Sequence, residues 1–159
     1  MGNYREGNHK EFYPTPEDIG QFLVEEMKKI ITEPVEILEP CAGKGDLIDA
    51  IKKHYDAPIL SYDIEPRRED IIEANYLKTN IEYKKGRICI MNPPFAMATK
   101  FIKKSLEECD YCACITSVNT IFNIDYEKYW VASEHINVLK KRKFGDAIVD
   151  CAIMILKKK

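Results

Sequence analysis

The sequence predicts an α/β fold: a mostly parallel seven-stranded sheet, helices on both faces, and a closing antiparallel hairpin. Three observations carry this. Short apolar runs such as Arg87 to Met91 and Tyr111 to Thr116 have the continuous hydrophobicity of strands buried on both faces. Segments with apolar residues at helical spacing alternate with them, and that alternation implies crossover connections and parallel pairing. The last two strand-like runs are instead joined at Gly145-Asp146, a hairpin signal.

The elements follow in order. Thr15 is expected to cap a first helix, with Pro16 at its first position and Asp18 three residues after the cap. Ile19, Phe22, Leu23, Met27, Ile30 and Ile31 form its apolar stripe, and Pro34 ends it. Residues 35–39 read as a strand, and 46–55 as a helix with Leu47, Ile48 and Ile51 on one side. Residues 59–63, 71–74, 87–91 and 111–116 read as strands, and 96–108 and 126–133 as helices. Residues 136–143 and 149–156 form the hairpin. A polar arm at 1–12 precedes a single domain at 13–159, long enough to bury a substantial core.

Composition narrows the function class. The chain is 45% hydrophobic and 31% charged, as folded globular domains are, which argues against disorder. No apolar run approaches the roughly 20 residues of a membrane span, and residues 1–10 lack the apolar core of a secretory signal. A cytoplasmic location with no membrane partner is expected. The net charge of -2 is unevenly spread, with -8 on residues 1–77 and +6 on residues 78–159. A basic half suits a polyanionic partner. The six cysteines lie mostly in apolar runs and read as small buried hydrophobes. Cys109, Cys112 and Cys114 lack a second ligand pair, so no metal is expected.

In a parallel sheet, ligands bind beyond the carboxyl ends of the strands. After the first strand comes Glu39-Pro40-Cys41-Ala42-Gly43-Lys44-Gly45-Asp46. The two glycines permit a tight turn and close backbone approach to a ligand. Glu39 can accept from a ligand ammonium, directly or through water. Asp63 ends the second strand, where an acid typically accepts the hydroxyls of a ribose. The fourth strand runs into Asn92-Pro93-Pro94-Phe95. Two prolines remove two donors and stiffen the chain. The Asn92 amide oxygen and the Pro93 carbonyl then form two adjacent acceptors, suited to an exocyclic amine with its two hydrogens. Phe95 can lie on the ring that carries the amine.

The Asn92-Pro93-Pro94-Phe95 run resembles the NPPF motif of S-adenosylmethionine-dependent amino-methyltransferases, especially adenine-specific (N6) DNA methyltransferases without a target-recognition domain. Residues 39–46 resemble their methionine-binding loop, Tyr62 to Pro66 their ribose motif, and Phe12 to Pro16 their segment before the first helix. The resemblance spans about Phe12 to the final strand and implies a Rossmann-like class I methyltransferase fold with S-adenosyl-L-methionine as cofactor. It implies cofactor contacts from Tyr13, Thr15, Glu39, Pro40, Ala42, Gly43, Gly45, Asp63, Ile64, Asn75, Tyr76 and Asn92. Asn75 stands where the family often has an acid near the cofactor adenine. Asn92, Pro93 and Phe95 are the implied catalytic residues. Pro94, Phe95, Phe144, Lys100 and Lys143 are implied substrate contacts, with Phe144 a second wall against a flipped base. The implied reaction is methyl transfer to adenine N6 in DNA. The same chemistry serves adenine in RNA and glutamine in proteins. A non-catalytic subunit with this fold is the alternative of another class. Without an added recognition region, either specificity is minimal, or a partner subunit or a homodimer supplies it.

Overall fold

The computed structural model describes residues 14–159, so Tyr13 and the polar arm lie outside the described residues. Helix α1 spans Glu17–Lys28 and begins one residue later than the capping expectation. Pro16 is its cap residue, and no side chain makes a capping hydrogen bond. Glu17 and Asp18 put negative charge on the first turn, which favours the positive end of the helix dipole. One face buries Ile19, Leu23, Val24 and Met27.

The strands are β1 (Glu36–Glu39), β2 (Ile59–Asp63), β3 (Ile72–Glu73), β4 (Arg87–Met91), β5 (Tyr111–Ser117), β6 (Tyr129–Val131), β7 (Asn137–Phe144) and β8 (Ala147–Lys158). Helices α2 (Asp46–Lys52) and α3 (Ala98–Glu108) complete the regular elements. The sheet order is β3-β2-β1-β4-β5-β8-β6, with β7 also on β8. β1 pairs in parallel with β2 and β4, and β4 with β5. The carboxyl ends of these strands therefore emerge along one edge.

Eight strands are present where seven were expected, and the extra one is β6. It occupies residues read from sequence as a helix. Val131 aligns with Leu156 and Tyr129 with Lys158, so tertiary pairing overrides a short and ambiguous local pattern. Twelve-residue β8 makes this possible. It runs antiparallel to β5 on one side, and on the other takes β6 near its end and β7 near its start.

Alternation sends side chains to two core layers. Ile88 and Ile90 of β4 join Ile37, Ile115 and Ile153 beneath α1 and α2. Cys89 and Met91 join Leu38, Cys114 and Met154 beneath α3, where Phe101, Ile102 and Leu106 cover them. All six cysteines are free and buried. No described helix is long and apolar enough to cross a membrane.

The β7–β8 hairpin rises past the carboxyl end of β5, because Ser117 aligns with Cys151 and the turn lies beyond that row. A register shift between Leu139 and Arg142 marks a bulge. Lys141 there has φ 52, and its N–H donates to Asp150 Oδ1 at 2.8 Å. Arg142 pairs with Asp18 and so ties the hairpin to α1.

Leu23 is fully buried between α1 and the sheet. Leu23→Ala is expected to cost about 2–5 kcal/mol, through lost transfer energy and an unfilled cavity. Urea denaturation of both proteins measures it, and a loss below about 1 kcal/mol would contradict the tight packing described.

Candidate functional site

The first part of the site is the loop after β1. Glu39 is 1% exposed, and its Oε1 accepts the Cys41 N–H at 3.0 Å. Burial raises its pKa from 4.5 to about 7; the Cys41 N–H opposes that rise and nearby Asp63 adds to it. Gly43 and Gly45 take φ values of 58 and 94, in the left-handed region. A Cβ at Gly45 would also lie 2.3 Å from Arg68 Nη1. Arg68 braces this loop from outside. It donates to the Gly45 carbonyl at 3.3 Å, to Asp49 at 2.8 Å and to Asp70 at 2.7 and 3.0 Å. Pro40 and Ala42 are buried, and the Ala42 N–H donates to the Tyr62 carbonyl at 2.8 Å.

Asp63 closes β2 and is wholly buried. Its Oδ2 accepts the Gly43 N–H and its Oδ1 the Glu65 N–H, each at 2.8 Å. The carboxylate thus joins the loops that follow β1 and β2. Ile64, beside it, is half-buried.

The second part follows β4. Asn92 is 1% exposed, and its Nδ2 donates to Thr15 Oγ1 at 2.9 Å. Thr15 therefore serves this contact in place of the cap predicted for it. The bond turns the amide nitrogen toward Thr15 and Oδ1 the other way. Pro93 and Pro94 are buried, and Phe95–Met97 form one 3-10 turn leading into α3. Half-buried Phe95 meets Phe144 edge-on, with ring centroids 5.9 Å apart and planes at 67°. Phe144 is only 1% exposed and packs in the core. It supports Phe95 from behind and, in this arrangement, offers no open face as the expected second wall.

Two further expectations change. Tyr76 is fully buried beside Phe101, and its hydroxyl donates to Glu108. Its ring belongs to the core and is not open to a ligand. Half-buried Asn75 turns its Oδ1 to the Leu77 N–H at 3.1 Å, capping the 3-10 turn Tyr76–Lys78. Lys100 and Lys143 are exposed, on the first turn of α3 and near the hairpin turn. Lys104 instead pairs with buried Glu108 at 2.5 Å and lies over the Tyr76 ring. Among the described residues, no group of three or more His, Cys, Asp or Glu is arranged to hold a metal.

Sequence reasoning missed three features. The Arg68 brace and the Thr15–Asn92 bond join residues far apart in the chain, and periodicity carries no signal for them. Phe122 lies in the 3-10 segment Val118–Asn123 immediately after β5 and is 80% exposed. An aromatic in a stretch otherwise rich in polar residues was the available clue.

No family model and no curated protein sequence matches the chain. Solved structures do. A protein from Pyrococcus horikoshii, described as a candidate RNA methyltransferase, superposes with TM-score 0.74 at 16% identity, covering 99% of this chain and 93% of that one. The 23S rRNA methyltransferase ErmE gives TM-score 0.72 at 16% identity, covering 93% and 70%. A restriction-enzyme modification subunit from Vibrio vulnificus gives 0.70 at 13% identity, covering 92% and 44%. The chain has the class I S-adenosylmethionine-dependent methyltransferase fold.

Glu39 generates a prediction with a defined sign. Its folded pKa of about 7 lies above the ordinary 4.5, so folding favours the neutral acid. The associated stability is intact below about pH 4.5 and is lost as pH rises through about 7. Glu39→Gln keeps an acceptor for Cys41 and removes the charge. The variant should match wild type near pH 4.5 and exceed its stability by about 1–3 kcal/mol near pH 8. Urea denaturation at both pH values checks this, and a pH-independent difference would remove the explanation.

Proposed function

We propose that this chain is an S-adenosylmethionine-dependent methyltransferase that modifies the exocyclic N6 amine of adenine in a nucleic acid, with DNA as the first candidate. The reading is carried by one observation. Asn92, held by Thr15, and the rigid Pro93-Pro94 pair end β4 on the same edge of the sheet as the glycine loop and Asp63.

The residues present suit the cofactor. Two left-handed glycines give the loop its tight turn, and the buried Glu39 carboxyl complements an α-ammonium group through space or water. The Asp63 carboxylate, which ends β2 and accepts the Gly43 and Glu65 N–H groups, is the type of group that takes a ribose hydroxyl at a strand end. Ile64 is suited to pack against the adenine. When bound, S-adenosylmethionine supplies a methyl group activated by its sulfonium.

The chain's residues supply the rest. An exocyclic amine is a poor nucleophile because its lone pair is delocalised into the ring. Asn92 Oδ1 and the Pro93 carbonyl accept its two hydrogens, which draws the nitrogen toward tetrahedral geometry and localises the pair. The same two acceptors stabilise positive charge developing on nitrogen. Phe95 holds the ring flat, and positioning supplies much of the rate. The methylated nitrogen is acidic and loses its proton without a strong base. A base in a duplex must be extruded to reach this position.

RNA is the second reading, and one observation favours it. The match takes in nearly all of the Pyrococcus protein but less than half of the restriction subunit.

Methyl transfer from tritiated S-adenosylmethionine to unmethylated DNA, total RNA and protein extract, followed by digestion, tests the reading. Label is expected in N6-methyladenine. Label confined to protein glutamine would overturn the nucleic-acid substrate, and an absence of cofactor binding would overturn the enzyme. Asn92→Ala should abolish transfer while leaving cofactor affinity within a few-fold, measured by titration calorimetry. Near-normal turnover in that variant would remove the amine clamp. Asp63→Ala should weaken cofactor binding at least tenfold, at about 1.4 kcal/mol per tenfold; unchanged affinity would remove the ribose assignment.

A further inference from the structure

The most exposed large hydrophobic residue described is Phe122, at 80%. A single exposed apolar side chain is ordinary. Its setting is not. Register pairs Met91 with Cys114, so β5 continues three residues past the end of β4, level with the prolines after Asn92. The 3-10 segment bearing Phe122 starts there, beside the candidate site.

The segment is fixed from below. Thr120 is 4% exposed and shares a hydrogen bond of 3.2 Å with Ser117. Ile124 is buried, and the Tyr126 hydroxyl donates to the Ile121 carbonyl at 2.6 Å. Phe122 is thus held out on an anchored support, with exposed Asn119 and Asn123 on the same short segment. From Asn123 the chain descends along α3 and leaves a groove of about 300 Å³, with Ile102, Ile124 and Tyr129 in its wall and Lys100, Lys103 and Lys128 around it. Asp125 is the one acid in that lining, and it lies 3.7 Å from Lys128. A neighbouring hollow is lined by Glu107 and Glu127 together with Lys103, Lys128, Lys158 and Lys159.

The occupant is argued from charge and shape. A protein partner would want a contiguous apolar centre around its anchor. Phe122 instead stands between exposed Asn119 and Asn123 on its segment, and Asn123, the next residue, lines a groove that carries three lysines. That combination is how single strands are held: bases stack on aromatic rings while cations follow the phosphates. We propose that this face holds the nucleic-acid strand next to the target nucleotide, with Phe122 stacking on an unpaired base and Lys100, Lys103 and Lys128 contacting backbone phosphates. The proposal rests on the nucleic-acid reading above and deepens it, because it selects unpaired strand over intact duplex.

The test is fluorescence anisotropy with a labelled adenine-containing 15-nucleotide strand, as DNA and as RNA, alongside the DNA duplex. Wild type should bind the single strands more tightly than the duplex, and the DNA and RNA arms identify the preferred sugar. Phe122→Ala should weaken single-strand binding about fivefold to a hundredfold, with thermal midpoint and S-adenosylmethionine affinity unchanged. Phe122→Tyr should retain binding, whereas Phe122→Leu, apolar without a π-face, should not. Lys100→Ala/Lys103→Ala should reduce the slope of log affinity against log salt by about 1.4. If wild type binds and methylates nucleic acid while Phe122→Ala or Phe122→Leu does so equally well, the stacking proposal fails and the function stands. If wild type binds cofactor but neither binds nor methylates any nucleic acid, the substrate reading fails and takes this proposal with it.

Discussion

The Asp63 carboxylate is the joint on which the site's architecture depends. It is buried without solvent contact, and its two oxygens hold the backbone of two different loops. Parallel pairing of β1 and β2 brings those loops to one edge but does not fix their shape. The 2.8 Å bond to Gly43 does, and it works only because Gly43 takes a conformation that most side chains resist. Downstream, Gly45 opens α2 in the same left-handed region, with Arg68 closing over it. A carboxylate so deeply buried is tolerable because both oxygens are satisfied by N–H donors.

Glu39 presents the contrasting case. It stands at the end of the neighbouring strand, equally buried, and Cys41 meets it with both its backbone N–H and its thiol. Its own burial leaves Glu39 balanced between charged and neutral forms near pH 7. Such a group costs stability when ionised and gains most from an arriving cation. Two adjacent acids thus differ in kind: one is tied to the backbone of two loops, and the other is held by burial near its midpoint of ionisation.

Much of the framework was legible because its signals are local. The apolar runs of β4 and β5, the helical stripe of α1 and the Gly145-Asp146 turn each lie within a few residues. The positions of the loops after β1, β2 and β4 were legible for the same reason, since a parallel sheet brings its strand ends to one edge. What escaped depended on long-range geometry. Tyr76 is aromatic beside a strand end, which suits a ligand wall equally well, but its partner Glu108 lies 32 positions away. Thr15 has the sequence context of a cap, and only the folded chain brings Asn92 within its reach. Residues 126–133 carry too short a pattern to separate strand from helix, and the decision falls to β8.

That decision shapes the surface beyond the strand ends. β8 is long enough to pair with β5 along one edge and with β6 and β7 in succession along the other. Its upper part lifts the β7–β8 hairpin above the strand ends, where Phe144 backs Phe95. Its lower part captures β6, so the chain after β5 descends as a 3-10 segment and turns rather than as a long regular helix. A helix at this position would lay an apolar stripe against the sheet and a second cylinder beside α3. The actual path leaves the outer side of α3 open and puts an aromatic ring at its upper end. The strand pairing that sequence periodicity could not foresee is therefore also what leaves the groove between α3 and the segment from Asn123 to Tyr129.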